Sequence, residues 1–534
     1  MKILFFSPHA NINQHAIPEI LFAEKLKKNG HEIFYISCQK NFKNICACMY
    51  AEGITDNSSR ALKNEICKSC CAKSKEIINQ FNYNEIKISD YISSKEKKFI
   101  KEFLQKNSKK KLDAIWYKNI PIGKFAAYEF FLTYKINTIK INLQYKKKYL
   151  KHLENTLISF LATKKIIQQI QPHGAVVFNA LYSINRAFYE NCKNSNVPCI
   201  SIHNGIHKKY RSRTLFFTFN PKLNFTRNTS EEWKSFKKKK LLNQEKQLVL
   251  DEISELRSGR DFWVYSLAKS AEGEDLKLKK NIPDNKKIVT VLLSSFDEFY
   301  AATCTGFLSQ RKNLLFQNQK KWINFLLNIA KQEKDLYFIF RVHPREYPNK
   351  RESQMSSHKA YYGKLKKLKL KNVWINTPDE NISIYDLIPI TDLALTRTST
   401  AGMEFLYEGK PVYGVDGILL TGYPAEFNKN FKSRKKYKAA IHQIKENYVN
   451  KKALIEKWLY FSTIFLADWH QDVWSLCKRS YFQKILYKLW NKLNYSELRI
   501  LIHAYKTFLK RIREKNKPNQ YLNKVAFYFE KQLN

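Results

Sequence analysis

Glycine is scarce in this chain: 14 residues of 534, where ordinary usage is about 7%. Acidic residues are also few, 47 Asp and Glu against 94 Lys and Arg, which leaves a formal charge of +47. Little glycine beside abundant Lys, Asn, Ile, Phe and Tyr is the profile of AT-rich coding, so composition alone accounts for part of that charge. Long apolar runs are missing. Stretches such as 458–467 fall well short of the ~20 residues that span a bilayer. The opening MKILFFSPHANINQHA has too brief an apolar run for a secretory signal and no small-residue cleavage site. The sequence therefore predicts a cytoplasmic protein.

What is present is an ordinary globular balance, 44% hydrophobic and 26% charged, which excludes wholesale disorder. The length suggests about three domains. A short apolar strand at 2–6 runs into a polar loop, then a helix with Pro18 near its start and Gly30 as its stop, then a strand at 33–37. This is how a βαβ unit of a parallel sheet begins. Strands at 175–178 and 198–203 flank a helix at 184–194. The stretch 268–287 is polar and reads as a linker, after which strands at 288–293, 336–342, 373–376, 392–396 and 411–415 alternate with helices.

The expected fold class is α/β: two Rossmann-like domains facing a cleft, followed by a basic helical extension. The expected boundaries are 1–270 for the first domain, with a Cys-rich irregular insertion at 38–107, then 286–430 for the second and 431–534 for the extension. Open α/β sheets bind ligands at the C-terminal ends of their strands. Those ends are where chemistry should be sought.

Two stretches carry such chemistry. In FIFRVHPREYPNKRE a strand delivers Arg341, His343 and Arg345 at alternate positions, and Pro344 ends the ladder. Guanidinium forks and an imidazole donor suit phosphate oxygens; a solvated Arg pair beside a structural turn is the competing reading. In DLALTRTSTAGMEFLYEGKPVYG a strand leads to Thr398, Ser399 and Thr400 and a helix opening at Ala401-Gly402. Hydroxyl caps and free N–H groups there suit an anion, and Glu404 is placed to accept from a ribose. An ordinary capped helix is the competing reading.

The pairing of RVHPRE with TRTSTAGMEFLYEGKPV resembles the capsule-polysaccharide biosynthesis proteins, a branch of GT-B-fold glycosyltransferases. It is also similar to the His-Pro and later Ser/Thr motifs of bacterial sialyl-, polysialyl- and Kdo transferases, and CDP-glycerol polymerases share a similar arrangement. The resemblance is tightest over 288–424, where INTPDENISIYDLI lies between the motifs. It implies a nucleotide-sugar donor, read as CMP-linked, on the second domain, with His343 and the Ser399-Thr400 turn on its phosphates. It implies an acceptor on the first domain, a glycan or a lipid-linked one, and transfer that needs no metal or other cofactor. The setting implied is capsule or lipopolysaccharide-type assembly, peripheral on the inner face of the plasma membrane.

One departure matters. The transferases carry an acidic pair followed by Gly as their base motif, and this chain has Asp297-Glu298-Phe299 in its second half. The base is therefore sought at the end of the first strand, among His9, His15 and Glu19. His15 and Glu19 are favoured, with Asp297 and Glu298 next. Asn179 and Asn204-Gly205 sit at further strand ends, as acceptor contacts or as turn residues.

Two features stand apart. Cys46, Cys48, Cys67, Cys70 and Cys71 offer four thiolates to zinc or are simply buried and loop thiols, and the latter is preferred. In the tail, Leu498, Leu501, Ile502, Tyr505, Leu509 and Ile512 recur at helical spacing among basic residues. That pattern suits an anionic leaflet or a helix packed back on the protein. A CDP-glycerol-type transferase, a nucleic-acid-binding protein and a non-catalytic scaffold are the alternatives. No zinc finger of standard spacing, RNP-type motif or helix-turn-helix favours nucleic acid.

Overall fold

The central strands are apolar at nearly every position because helices cover both faces of their sheets. β1 (Lys2–Phe6), β7 (Lys287–Leu292) and β8 (Leu336–Arg341) are buried at almost every residue. The computed structural model describes residues 1–204, 207, 215–218, 230–259, 265, 267–268, 273–306, 314–349, 354–415, 424, 426, 429–444 and 451–465.

Two six-stranded sheets organise these residues. The first adds β2 (Glu32–Ser37), β3 (Asn84–Lys87), β4 (Gly174–Phe178), β5 (Cys199–Asn204) and β6 (Leu215–Thr218), in the order β3-β2-β1-β4-β5-β6. The second adds β9 (Val373–Asn376), β10 (Leu393–Thr396), β11 (Val412–Val415) and β12 (Lys429–Phe431), in the order β12-β11-β10-β7-β8-β9. Counted from its own first strand, each sheet is wound 3-2-1-4-5-6, the order of dinucleotide-binding folds. All pairings are parallel except β5 with β6. The chain is thus two Rossmann-like halves, the GT-B-like architecture expected. Each sheet reverses its winding between its first and fourth strands, β1 with β4 and β7 with β10, which opens a crevice at their C-terminal ends.

Several elements differ from the sequence expectation. Residues 38–107 are regular: helix Arg60–Phe81 crosses from β2 to β3, and helix Ser94–Lys106 follows. Their weak alternation hid an edge strand of four residues. The first helix begins at Asn13, so Pro18 lies inside it. Within the stretch read as a linker, helix Gly273–Lys279 buries Leu276 in a cluster with Ile288, Ile339 and Leu387. Helices Ser230–Phe236 and Asn243–Ser258 bury Trp233, Val249 and Ile253 against Met403, Phe405, Ile455 and Trp458 of the second half. Helix Lys452–Tyr460 completes that cluster, with the Trp233 and Trp458 rings 5.0 Å apart. The amphipathic tail pattern at 498–512 lies outside the described residues.

The halves are joined by helix Phe296–Cys304, which follows β7 yet packs on helix Ala127–Tyr134 of the first half. Ala301 and Ala302 enter the cluster that holds Phe130 and Phe131, and the Phe131 and Tyr300 rings lie 5.1 Å apart, edge to face. Gly123 shows one place where glycine is obligatory. A Cβ there would stand 2.2 Å from the Leu112 carbonyl oxygen and 2.7 Å from Ile115 Cβ. Among the described residues no helix is long and apolar enough to cross a membrane.

Candidate functional site

β1 ends at Phe6 and a tight turn follows, with the Ile12 N–H on the His9 carbonyl at 2.9 Å. This turn swings His9 and the start of the helix over the ends of β4 and β5. His15 stacks on Phe178 at 4.1 Å between ring centroids and stands 5.4 Å from His9. His203, from β5, stacks on Phe178 from 5.1 Å. Tyr182 closes the group, 5.6 Å from His15 and 6.3 Å from His9. Burial pushes His9 down to about 4. It pushes His15 well below its ordinary value, with His9 and His203 adding to the effect. Both rings are therefore neutral at pH 7. Among the described residues three buried atoms here find no hydrogen-bond partner, His9 Nε2, His15 Nδ1 and Asn204 Oδ1, although buried polar atoms are nearly always paired.

Glu19 lies one turn beyond His15 but faces the Ser7 hydroxyl and Tyr35. Burial raises its carboxyl to about 8, so it is mostly protonated at neutral pH. The structure thus groups His15 with His9 and His203, not with Glu19. Asn179 has φ +44° and its side-chain oxygen accepts the Leu181 N–H at 3.2 Å, which is turn chemistry. Gly205 lies outside the described residues.

On the second sheet, Arg341 is buried at the end of β8 and donates to Asn376 Oδ1. Burial lowers it to about 10 against the pull of Glu380 and Asp386, and it stays charged at neutral pH. His343 is half-buried. Its Nδ1 accepts the Arg345 N–H at 3.2 Å, so a neutral ring carries its proton on Nε2. Its ring lies 5.4 Å from Tyr265.

Arg345 is fully engaged. Nε and Nη2 donate to Asp297 Oδ2 at 3.1 and 2.9 Å, Nη2 also to the Leu132 carbonyl at 2.9 Å, and Nη1 to the Tyr265 hydroxyl at 3.3 Å. Glu346 accepts the Phe296 N–H at 2.7 Å and is raised by burial to about 7. Arg345 and Glu346 together pin the His-Pro turn to the start of the bridging helix.

After β10 the chain folds on its own hydroxyls. Thr396 Oγ1 accepts the Ser399 N–H at 3.1 Å and Ser399 Oγ the Ala401 N–H at 3.4 Å. Thr400 is exposed, and the helix that follows, Gly402–Tyr407, has six residues. Thr398 pairs with Ser294 from the end of β7 at 2.5 Å, across the point where the winding reverses. Glu404 accepts from the Tyr385 hydroxyl.

Tyr128 is buried in the cluster that joins the halves, with Ala301, Ala302, Tyr182 and Phe299. Burial raises its phenol, with Tyr182 and Glu298 adding to the effect and Arg345 opposing it, so residues that follow β4, β7 and β8 all act on it electrostatically. Beside it Glu129 accepts from the Ser183 N–H at 2.6 Å and from the Ser183 hydroxyl. Asp297 is committed to Arg345, while Glu298 is half exposed and accepts from Ser295 at 2.5 Å. One group of side chains thus joins His9, His15 and Tyr182, and a second joins Glu298, Arg345, Tyr265 and His343, with Tyr128 in the packing between the halves. Sequence reasoning missed Tyr128, Tyr182, Tyr265, His203 and Ser294. Only His203 and Ser294 carried a signal, their position at strand ends.

Chemically, this arrangement offers neutral imidazoles as proton acceptors on one side, and a donor imidazole in a turn that also carries two buried guanidinium groups on the other.

No family model and no curated protein matches the chain. Solved structures similar to it include UDP-GlcNAc 2-epimerase from Neisseria meningitidis bound to UDP-GlcNAc, at 13% identity over 88% of this chain and 99% of that one, with a TM-score of 0.25. The β-Kdo 2,4-transferase KpsC from Thermosulfurimonas dismutans is 10% identical over 54% and 79%, with a TM-score of 0.30. A sucrose-phosphate synthase from Thermosynechococcus elongatus is 10% identical over 88% and 96%, with a TM-score of 0.29.

Proposed function

We propose that the chain is a glycosyltransferase of capsule or lipopolysaccharide-type assembly. It moves a sugar from a nucleotide-activated donor, CMP-linked, to a glycan or lipid-linked acceptor. The observation that carries this reading is the join of the two halves beside the strand ends, where Arg345 of the His-Pro turn reaches the Leu132 carbonyl and the helix after β7 packs on the first half. One half presents the imidazole atoms left unpartnered among the described residues and the other a cationic turn with paired hydroxyls.

In this reading His343, through its Nε2–H, and the hydroxyls of Ser399 and Thr400 hold the donor phosphate. Arg341 and Arg345, buried on either side of His343 in the chain, lend positive charge rather than free forks. As the glycosidic bond breaks, negative charge gathers on the leaving phosphate, and fixed cations in a desolvated site stabilise it most at that moment. His15, neutral and with Nδ1 unpartnered, takes the proton of the acceptor hydroxyl. Glu19, protonated, supports the turn that carries His9. Glu404, already held by Tyr385, is the ribose contact. The net positive charge draws the enzyme to an anionic membrane face, where a lipid-linked acceptor resides.

A thermal-shift panel of CMP, CDP, UDP, GDP and dTDP tests this reading. Ligand at 100 times its Kd stabilises by about 2.7 kcal/mol. A shift with CMP alone, lost in His343→Ala, is the expected result. A shift with CDP alone would favour a glycerol-phosphate donor, and one with UDP or GDP would remove the CMP assignment. No shift in a folded protein would sink the nucleotide reading altogether.

A further inference from the structure

The N-terminal cysteines converge. Cys38, Cys46, Cys48, Cys67, Cys70 and Cys71 line a small cavity at the ends of β1 and β2, closed by Ser7, Pro8 and Ala10. Its volume of about 20 Å³ admits one water-sized molecule and little more. Among the described residues no three His, Cys, Asp or Glu side chains are arranged to hold a metal ion, so the zinc alternative finds no formed cage. What the cavity does hold is a contacting thiol pair. Cys48, on the short helix Ala47–Ala51, and Cys70, on helix Arg60–Phe81, have Sγ atoms 3.9 Å apart.

The two thiols are unequal. Cys48 is fully buried, and hydrogen bonds to Cys46 and Cys70 together with burial push its thiol up. Cys70 is half-buried. Its Sγ, 4.0 Å from the Pro8 carbonyl oxygen, shares a hydrogen bond with the Cys48 thiol, the backbone N–H groups of Asn11 and Ala10 neighbour it and the Lys73 ammonium stands nearby. Together these hold it below its ordinary value against the effect of burial. A partly exposed thiol in contact with a buried one is the arrangement of a nucleophile with its resolving partner.

We propose that Cys70 and Cys48 are a redox modification site, closed to a reversible disulfide by hydrogen peroxide. The Cys70 thiolate attacks one peroxide oxygen, giving a sulfenic acid and hydroxide, which takes up a proton to become water. Cys48 sulfur then attacks the Cys70 sulfur. The S–S bond forms, the S–O bond breaks, and the hydroxyl leaves as water with the Cys48 proton. Two thiols are oxidised and one peroxide is reduced to two waters. Side-chain rotation has to bring the sulfurs from 3.9 Å to about 2.05 Å. The step also removes the anion from the Ala10 and Asn11 N–H groups, in the turn that carries His9, so oxidation bears on the acceptor edge of the cleft. The cavity's size favours peroxide over bulky disulfide oxidants.

The test uses the full chain, titrated with hydrogen peroxide or with glutathione disulfide, alkylated and mapped by peptide mass. The expected product is a 48–70 linked peptide lacking two hydrogens, reversed by dithiothreitol and formed at least tenfold faster with peroxide. Cys71→Ser leaves it unchanged. Cys48→Ser stops at a Cys70 sulfenic acid that dimedone traps, with Cys48→Ala as the second variant should the first fail to fold by circular dichroism. Linkage of a different pair, or a Cys70 that peroxide does not oxidise ahead of the other thiols, would overturn the proposal. So would stoichiometric zinc released by a mercurial from untreated protein, since the thiols would then be metal ligands. None of these outcomes depends on the identity of the donor sugar.

Discussion

Arg345 and Asp297 form a two-point ion pair, with contacts of 2.9 and 3.1 Å, buried where the two halves meet. The same guanidinium reaches the Leu132 carbonyl of the first half and the Tyr265 hydroxyl beside His343. One side chain thus links the His-Pro turn, the bridging helix and the acceptor half. The residue read from sequence as a phosphate fork is also the fastener that fixes where His343 stands.

Breaking that pair should be costly because it strands a buried charge. Asp297→Ala is expected to lose about 3–5 kcal/mol of unfolding free energy in urea denaturation, and to weaken nucleotide binding by loosening the turn. A variant as stable as the parent would show that the pair does not couple the halves.

His343→Ala is expected to behave oppositely. The ring is half-buried, accepts a backbone N–H within its own turn and lies edge-on to Tyr265, none of which strands a buried charge, so the loss of stability should be smaller than for Asp297→Ala, on the order of 1–2 kcal/mol. Nucleotide binding measured by calorimetry should nevertheless disappear. Unchanged affinity would remove His343 from the phosphate site.

His15→Asn tests the proton acceptor. Removing a general base typically costs 10²–10⁴ in rate, so kcat should fall by that order while nucleotide affinity holds. Because burial keeps the His15 ring neutral well below pH 6.5, the parent enzyme's kcat should show no inflection near pH 6.5. A rise through pH 6.5 would assign the base to a more exposed imidazole.

The doubly wound halves were legible from strand runs such as KIVTVL and LYFIFR, whose unbroken apolar character is what parallel strands under two helical layers require. β3 and β12 were not legible. They are sheet edges of four and three residues, NEIK and KNF, half exposed and without a hydrophobic signature. The end of β8 was found because Arg341, His343 and Arg345 alternate there, but alternation could not reveal that Arg345 turns back onto Asp297. Such pairing is a tertiary fact. The same holds for Tyr128, placed in the site by packing between helices and not by any local pattern. The grouping of His15 with His203 rather than with Glu19 depends on the β1–β4–β5 order, which a linear reading cannot supply.

Glu19 gives a prediction with a definite sign. Burial raises its carboxyl from the ordinary 4.5 to about 8. Between those values the unfolded chain releases the proton and the folded chain keeps it, so folding stability falls as pH climbs from 4.5 to about 8 and levels off above. Gln cannot ionise in either state and escapes the loss. The stability difference between Glu19→Gln and the parent should therefore shift in the variant's favour across this window, by roughly 3–5 kcal/mol at pH 8 relative to pH 4.5. His9, lowered to about 4 by burial, acts in the other direction. Its neutral form supports the fold above pH 6.5, and that support drains as pH falls toward 4. It is common to both proteins and cancels in the comparison. Scanning calorimetry of the pair at pH 5, 6, 7 and 8 decides the matter, since a difference that stays constant with pH would mean that Glu19 ionises in the folded protein as it does in the unfolded chain.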